Sequence, residues 1–136
     1  MASSALADTG FLVALLSRRD ADHRWAAAQA SRLLPPWNTC EAVLSEAFHL
    51  LGARGGRSLA ALLSRGALVP RYGFGEDMDA VLRLLEKYRD APMSFADACL
   101  VRMTETFNDP ILLTTDADFR IYRRHGRQLI PCVLPA

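Results

Sequence analysis

The sequence predicts an α/β sandwich: a parallel sheet with helices on both faces, layered α/β/α. Two observations point there. Short apolar runs recur at 3–7, 37–40, 67–70, 111–115 and 128–133, and the stretches between them carry apolar residues at helical spacing. A third observation bounds the answer. At 136 residues with 51% hydrophobic and 23% charged residues, the chain matches one globular domain over 1–136 with a single core.

Taken in order, residues 3–7 form a strand that ends at Asp8, and Phe11, Leu12, Leu15 and Leu16 give the next segment helical spacing. Asp20 or Asp22 caps a second helix that runs to about Leu34, where Pro35 and Pro36 stop it. Residues 37–40 form a strand leading into a helix over 41–53, with Val43, Ala47, Leu50 and Leu51 on one side. Gly55-Gly56 is expected to break that helix, and Ser58 to begin another through Ser64. A weak strand follows at 67–70. Residues 76–89 form an amphipathic helix with Met78, Val81, Leu82, Leu85 and Tyr88 on its buried side. Ser94 starts a helix to about Phe107, 111–115 is the clearest strand, a short helix covers 119–124, and 128–133 closes the fold as a strand.

Composition excludes several classes. The net charge of +1 makes no whole-protein case for a nucleic-acid binder. Every basic residue except Lys87 is arginine, a bias that genomic base composition also produces. Cys40, Cys99 and Cys132 show neither a disulfide framework nor zinc-ligand spacing and are read as buried free thiols in a reducing compartment. The N-terminal apolar run lacks the early positive charge of a signal peptide, and no segment has the length of a membrane span. A cytoplasmic location is expected.

In open α/β sheets ligands bind outside the carboxyl ends of the strands, near a switch in strand order. Asp8 and Asp116 leave the first and fourth strands at that edge. Asp8 is read equally as a helix N-cap or as a functional acid. Glu46 shares a helical face with Val43 and Leu50, where a carboxylate is costly unless paired or solvated. Glu41, in the first turn of the same helix, is explained by the helix dipole. Ser94-Phe95-Ala96-Asp97 resembles a capping box, so Asp97 alone is more often a cap than a ligand. Asp118 is read as the cap of a helix beginning at Phe119, and Asp90 as an exposed loop acid.

The constellation says more than its members. Carboxylates gathered at one edge repel unless a cation sits among them. Oxygen ligands without a Cys/His cluster favour Mg²⁺ or Mn²⁺, which suits phosphate-ester hydrolysis. His23, His49 and His125 show no ligand spacing, and no phosphate-cradling loop, dinucleotide fingerprint or nucleophile elbow is present.

Asp8-Thr9-Gly10 before an apolar helix, AVLSEAFHLL around Glu46, SFADACLV around Asp97 and LLTTDADF around Asp116 together resemble the PIN-domain family, and its VapC-like toxin branch in particular. The four motifs occur in the family's order over residues 8–119. The resemblance implies a parallel sheet of about five strands and a Mg²⁺- or Mn²⁺-dependent endoribonuclease. It implies Asp8, Glu46, Asp97 and Asp116 as the catalytic quartet, and Asp8, Asp97, Asp116 and the auxiliary Asp118 as metal ligands. Thr9, Thr115 and Asp90 match supporting positions. Arg120, Arg123, Arg124 and Arg127 are candidates for holding the RNA backbone, against the alternative of a solvated helix face. A homodimer and a small antitoxin partner follow from the same resemblance.

Two departures stand out. Gly10 occupies a position where Ser or Asn is common, so one hydrogen bond to the site is expected to be missing. Glu41 competes with Glu46, which is preferred because AVLSE places its acid inside the helix. The competing functions are an inactive PIN-like module that binds RNA or protein, a haloacid-dehalogenase-like phosphatase and a receiver domain. The phosphatase is disfavoured because Asp116-Ala-Asp118 comes too late in the chain, the receiver because the lone lysine sits mid-helix.

Overall fold

The computed structural model describes residues 4–136. Strand β1 (Ser4–Ala7) leads into helix α1 (Thr9–Leu16), then helix α2 (His23–Arg32), strand β2 (Trp37–Cys40), helix α3 (Glu41–Ser64) and strand β3 (Leu68–Tyr72). Helices α4 (Met78–Lys87) and α5 (Phe95–Thr106) precede strand β4 (Pro110–Leu113), a 3-10 turn (Ala117–Arg120) and three two-residue strands. These are β5 (Arg123–Arg124), β6 (Gln128–Leu129) and β7 (Cys132–Val133). The main sheet is parallel, five-stranded and ordered β3-β2-β1-β4-β7. The chain builds outward from β1 to one side, then crosses back to lay β4 on the other. The switch in order therefore falls between β1 and β4.

Burial explains the layers. Leu6, Ala7, Leu112 and Leu113 in the central strands are fully buried, as a sheet covered on both faces requires. Phe11, Leu12 and Ala14 bury α1, with Phe11 packed edge-on against Trp25 and Trp37. Along α5, Ala96 through Val101 and then Met103 and Thr104 are buried, so this helix is enclosed on nearly all sides. His23 is a packing residue, its Nδ1 2.8 Å from the Ala14 carbonyl.

Several expectations are corrected. The long helix breaks at Gly52 rather than at Gly55-Gly56: Gly52 alone takes a positive φ (68°), which a side chain resists. Gly55 and Gly56 remain helical, and a Cβ on Gly55 would lie 2.7 Å from Leu51 Cβ, so the glycine serves close packing there. In α4 only Val81 is fully buried, while Met78 and Leu82 are 45% and 49% exposed. That helix lies against α5 at the edge of the molecule and has one narrow covered face. The expected helix over 119–124 is a 3-10 turn starting two residues earlier. The expected strand 128–133 is two pieces, because Leu129 pairs backwards with Arg123 in a hairpin while Val133 joins β4. Between them Pro131 offers no N–H to a ladder, yet its carbonyl accepts from Leu112 at 2.9 Å.

The three cysteines are free, and Cys40 and Cys99 are buried. Among the described residues no helix is long and apolar enough to cross a membrane.

Candidate active site

Each acid at the carboxyl edge is placed by the end of an element. Asp8 closes β1 and caps α1: its Oδ1 accepts from Thr9 N at 2.7 Å, and its Oδ2 from the Thr114 hydroxyl at 2.7 Å. Thr114 Oγ1 in turn accepts from Asp116 N at 3.0 Å, so one hydroxyl joins the exits of the two central strands. Asp116 caps the 3-10 turn, its Oδ1 accepting from Asp118 N at 2.9 Å. Capping here falls to Asp116 and not to Asp118, because the turn begins at Ala117 instead of Phe119. Asp118 is half-buried beside it.

Asp97 completes a true capping box. The Ser94 hydroxyl accepts from Asp97 N at 3.0 Å, and Ser94 N donates to Asp97 Oδ2 at 3.2 Å. The same Oδ2 accepts a bond from the Tyr122 hydroxyl at 3.0 Å. The choice between cap and site acid is therefore no choice: one oxygen caps, and Oδ1 receives no donor among the described residues. Asp8 and Asp97 are each only 7% exposed.

Glu46 is exposed, which removes the desolvation cost that a buried stripe would have imposed. It reaches the edge through Thr9, whose hydroxyl lies 3.4 Å from Glu46 Oε2 and 3.5 Å from the Val43 carbonyl, both long contacts. Glu41 is exposed at the start of α3. Asp90 is not drawn in: its side chain is 95% exposed and its partner is Arg89 at 3.9 Å.

The electrostatics are those of negative charge without a counter-ion. Burial pushes Asp8 up to about 6, opposed by its bonds from Thr114 and Thr9 and reinforced by the charges of Asp97 and Asp116. Burial also raises Asp97, with Asp116 again adding to it and the bonds from Ser94 and Tyr122 opposing. Tyr122 is itself raised, by burial and by the Asp97 carboxylate, and so stays a donor. Among the described residues none of Asp8, Glu46, Asp97 or Asp116 pairs with a lysine or arginine.

The arginines after the turn are largely occupied. Arg123 Nη1 donates to the carbonyls of Arg120, Ile121 and Tyr122 at 2.7, 3.2 and 3.1 Å, and Arg124 Nη2 donates to the Thr104 carbonyl. Arg120 and Arg127 are exposed. Thr115, expected as a support, instead fills the space beside Gly10: a Cβ there would lie 1.9 Å from Thr115 Oγ1. Thr114 and Tyr122 are the residues that sequence reasoning missed.

All available donors are oxygens, and unpaired carboxylates suit a hard cation. Among the described residues no three His, Cys, Asp or Glu side chains converge as a ready-made metal cluster, so the fit lies in charge and donor chemistry rather than in a closed cage.

The PIN-domain model matches residues 5–124, and the chain belongs to that family. Among solved structures it is similar to the Mycobacterium tuberculosis toxin VapC20, which cleaves the sarcin-ricin loop, with a TM-score of 0.74 at 23% identity over 85% of this chain and 92% of that one. Compared with curated proteins, the sequence has no significant match.

Proposed function

We propose that the chain is a Mg²⁺- or Mn²⁺-dependent endoribonuclease that hydrolyses RNA phosphodiesters, acting as the toxin of a type II toxin–antitoxin pair in the VapC-like branch of the family. The observation that carries this reading is the gathering of Asp8, Asp97 and Asp116 at one strand edge with no lysine or arginine partner among the described residues; burial pushes Asp8 up to about 6, and the charges of Asp97 and Asp116 add to it. Structural carboxylate clusters are neutralised by arginine or lysine; this one calls for a cation from solution.

In this reading Asp8, Asp97 and Asp116 hold the ion and Asp118 assists. Bound there, a divalent cation supplies an activated water and neutralises charge on the phosphate. Glu46, solvated at the rim and in long contact with the Thr9 hydroxyl, is assigned the proton of the attacking water. Thr9 and Thr114 orient Asp8. Arg120, which ends the turn, and Arg127 beyond it are exposed and are the arginines open to an RNA backbone. A homodimer and an antitoxin belong to the same reading, with the exposed Phe48 and Leu50 of α3 available for such contacts.

An RNA cleavage map with Mg²⁺ and with EDTA tests the proposal. Cleavage that needs the metal and vanishes in Asp97→Asn supports it. A folded Asp97→Asn protein that cleaves at the wild-type rate rejects it.

A further inference from the structure

Tyr122 is fully buried three residues after Phe119, and its ring is held edge-on by Phe119 and by Tyr88, both with centroids 5.3 Å away. The next residue is fixed too, since Arg123 N donates to the Tyr88 hydroxyl at 2.9 Å. The Tyr122 hydroxyl therefore has little freedom to swing. Packing alone would be served by phenylalanine, as at 119; the extra oxygen is tolerated in the interior because it donates to Asp97 Oδ2 at 3.0 Å. Ser94 N donates to the same oxygen at 3.2 Å, while Oδ1 takes no donor among the described residues. A carboxylate otherwise rotates freely about its Cβ–Cγ bond. Two donors on one oxygen and none on the other fix that rotation and leave a single oxygen unengaged.

Resting on the nuclease reading above, we propose that Tyr122 is a positioning residue: with the Ser94 amide it pins Asp97 Oδ2 so that Oδ1 is the oxygen offered to a divalent cation. Outer-shell hydrogen bonds of this kind set ligand orientation and with it metal affinity.

The test uses Mn²⁺ alone on the metal-free full chain, followed by calorimetric titration and by thermal denaturation. Tyr122→Phe is expected to weaken Mn²⁺ binding by about 10- to 100-fold. Tyr72→Phe removes the tyrosine hydroxyl that donates to the other carboxylate, Asp77, and is expected to leave the Mn²⁺ affinity at the wild-type value. A folded Tyr122→Phe protein that binds Mn²⁺ like wild type overturns the proposal. The two levels separate cleanly. Wild-type protein that binds no Mn²⁺ removes the nuclease reading and this proposal with it, whereas binding lost in Asp97→Asn but untouched in Tyr122→Phe removes the positioning role alone. Should Tyr122→Phe fail to fold, the wild-type protein gives a second readout: substoichiometric Mn²⁺ should broaden the Tyr122 ring resonances in the NMR spectrum, and sharp Tyr122 signals at that ratio overturn the proposal.

Discussion

Asp77 and Asp97 each accept a hydrogen bond from a tyrosine hydroxyl, Tyr72 to Asp77 at 2.5 Å and Tyr122 to Asp97 at 3.0 Å, yet their carboxyl groups shift in opposite directions. Arg102 Nε lies 2.7 Å from Asp77 Oδ2 and its Nη1 3.4 Å from Glu105 Oε1, so two acids share one guanidinium. That guanidinium, more than the Tyr72 bond, holds Asp77 below the usual carboxylate range. At the strand edge Asp8, Asp97 and Asp116 have neutral hydrogen-bond donors but no lysine or arginine partner among the described residues, and burial raises Asp8 and Asp97. Both clusters lie within one small fold. The difference is a cation supplied by the chain itself, which the first cluster has and the second, on the proposed reading, takes from solution.

The largest expected effect breaks this contrast from each side. Asp97→Asn or Asp116→Asn should cut Mg²⁺-dependent RNA cleavage by at least about 100-fold, the scale of removing one electrostatic contact from a reacting centre, with little loss of thermal stability. Arg102→Met should do the reverse: cleavage persists while unfolding stability drops by about 1–3 kcal/mol, because Asp77 and Glu105 lose their cationic partner. Parallel cleavage assays and denaturant melts on the variants would show whether the two roles separate.

Titration sharpens the contrast next. The folded value of Asp8, about 6, lies above its ordinary 3.8, so the fold favours the protonated form. Its contribution is fully present below pH 3.8 and is lost as pH rises through about 6. On this account the metal-free protein loses on the order of 3 kcal/mol from this group between pH 4 and pH 7.5. Saturating Mn²⁺ should offset the loss at pH 7.5, and Asp8→Asn should flatten the decline. Asp77 runs the other way: its folded value is lowered, so its contribution is present above the ordinary carboxyl range and is lost as pH falls through that lowered value. Melting curves across pH, with and without Mn²⁺, would display the two slopes.

Thr114→Val comes third. It removes the hydroxyl that links Asp8 Oδ2 to the Asp116 amide while keeping the side chain's shape. Cleavage is expected to fall about tenfold and Asp8 to shift further upward, since a stabilising bond to its charged form is gone. The midpoint of the pH-stability decline reads the second effect directly.

The smallest effect concerns Gly10. Gly10→Ser should destabilise by about 1 kcal/mol because Thr115 already fills that space, and adding Thr115→Ala should recover most of the loss. A double-mutant cycle of melting temperatures measures the coupling.

What could be read from the sequence depended on what its periodicities encode. The central strands, Ser94 as a cap, and the sheet edge where Asp8, Asp97 and Asp116 emerge all follow from apolar spacing and capping chemistry. The choice between Thr114 and Thr115 does not. Neighbouring residues in extended chain point to opposite sides, and two adjacent threonines leave that phase open. The role of Tyr122 depends on a hydrogen bond across 25 residues, which no local pattern records. Gly52 is less conspicuous than Gly55-Gly56, and composition marks a breaker without giving its φ. The C-terminal run hides its division for a related reason. Two-residue strands are too short to show a period, and Pro131 alone signalled the division. The cap falls to Asp116 and not to Asp118 because the turn begins two residues before Phe119, a boundary that no apolar period marks.

The most direct measurement is a calorimetric titration of the metal-free chain with Mn²⁺ at pH 7.5, repeated on Asp97→Asn and on Asp77→Asn. If the strand edge is the cation site, binding is saturable in the wild type, persists in Asp77→Asn and disappears in Asp97→Asn. Absence of saturable binding, or binding that survives Asp97→Asn unchanged, would contradict it.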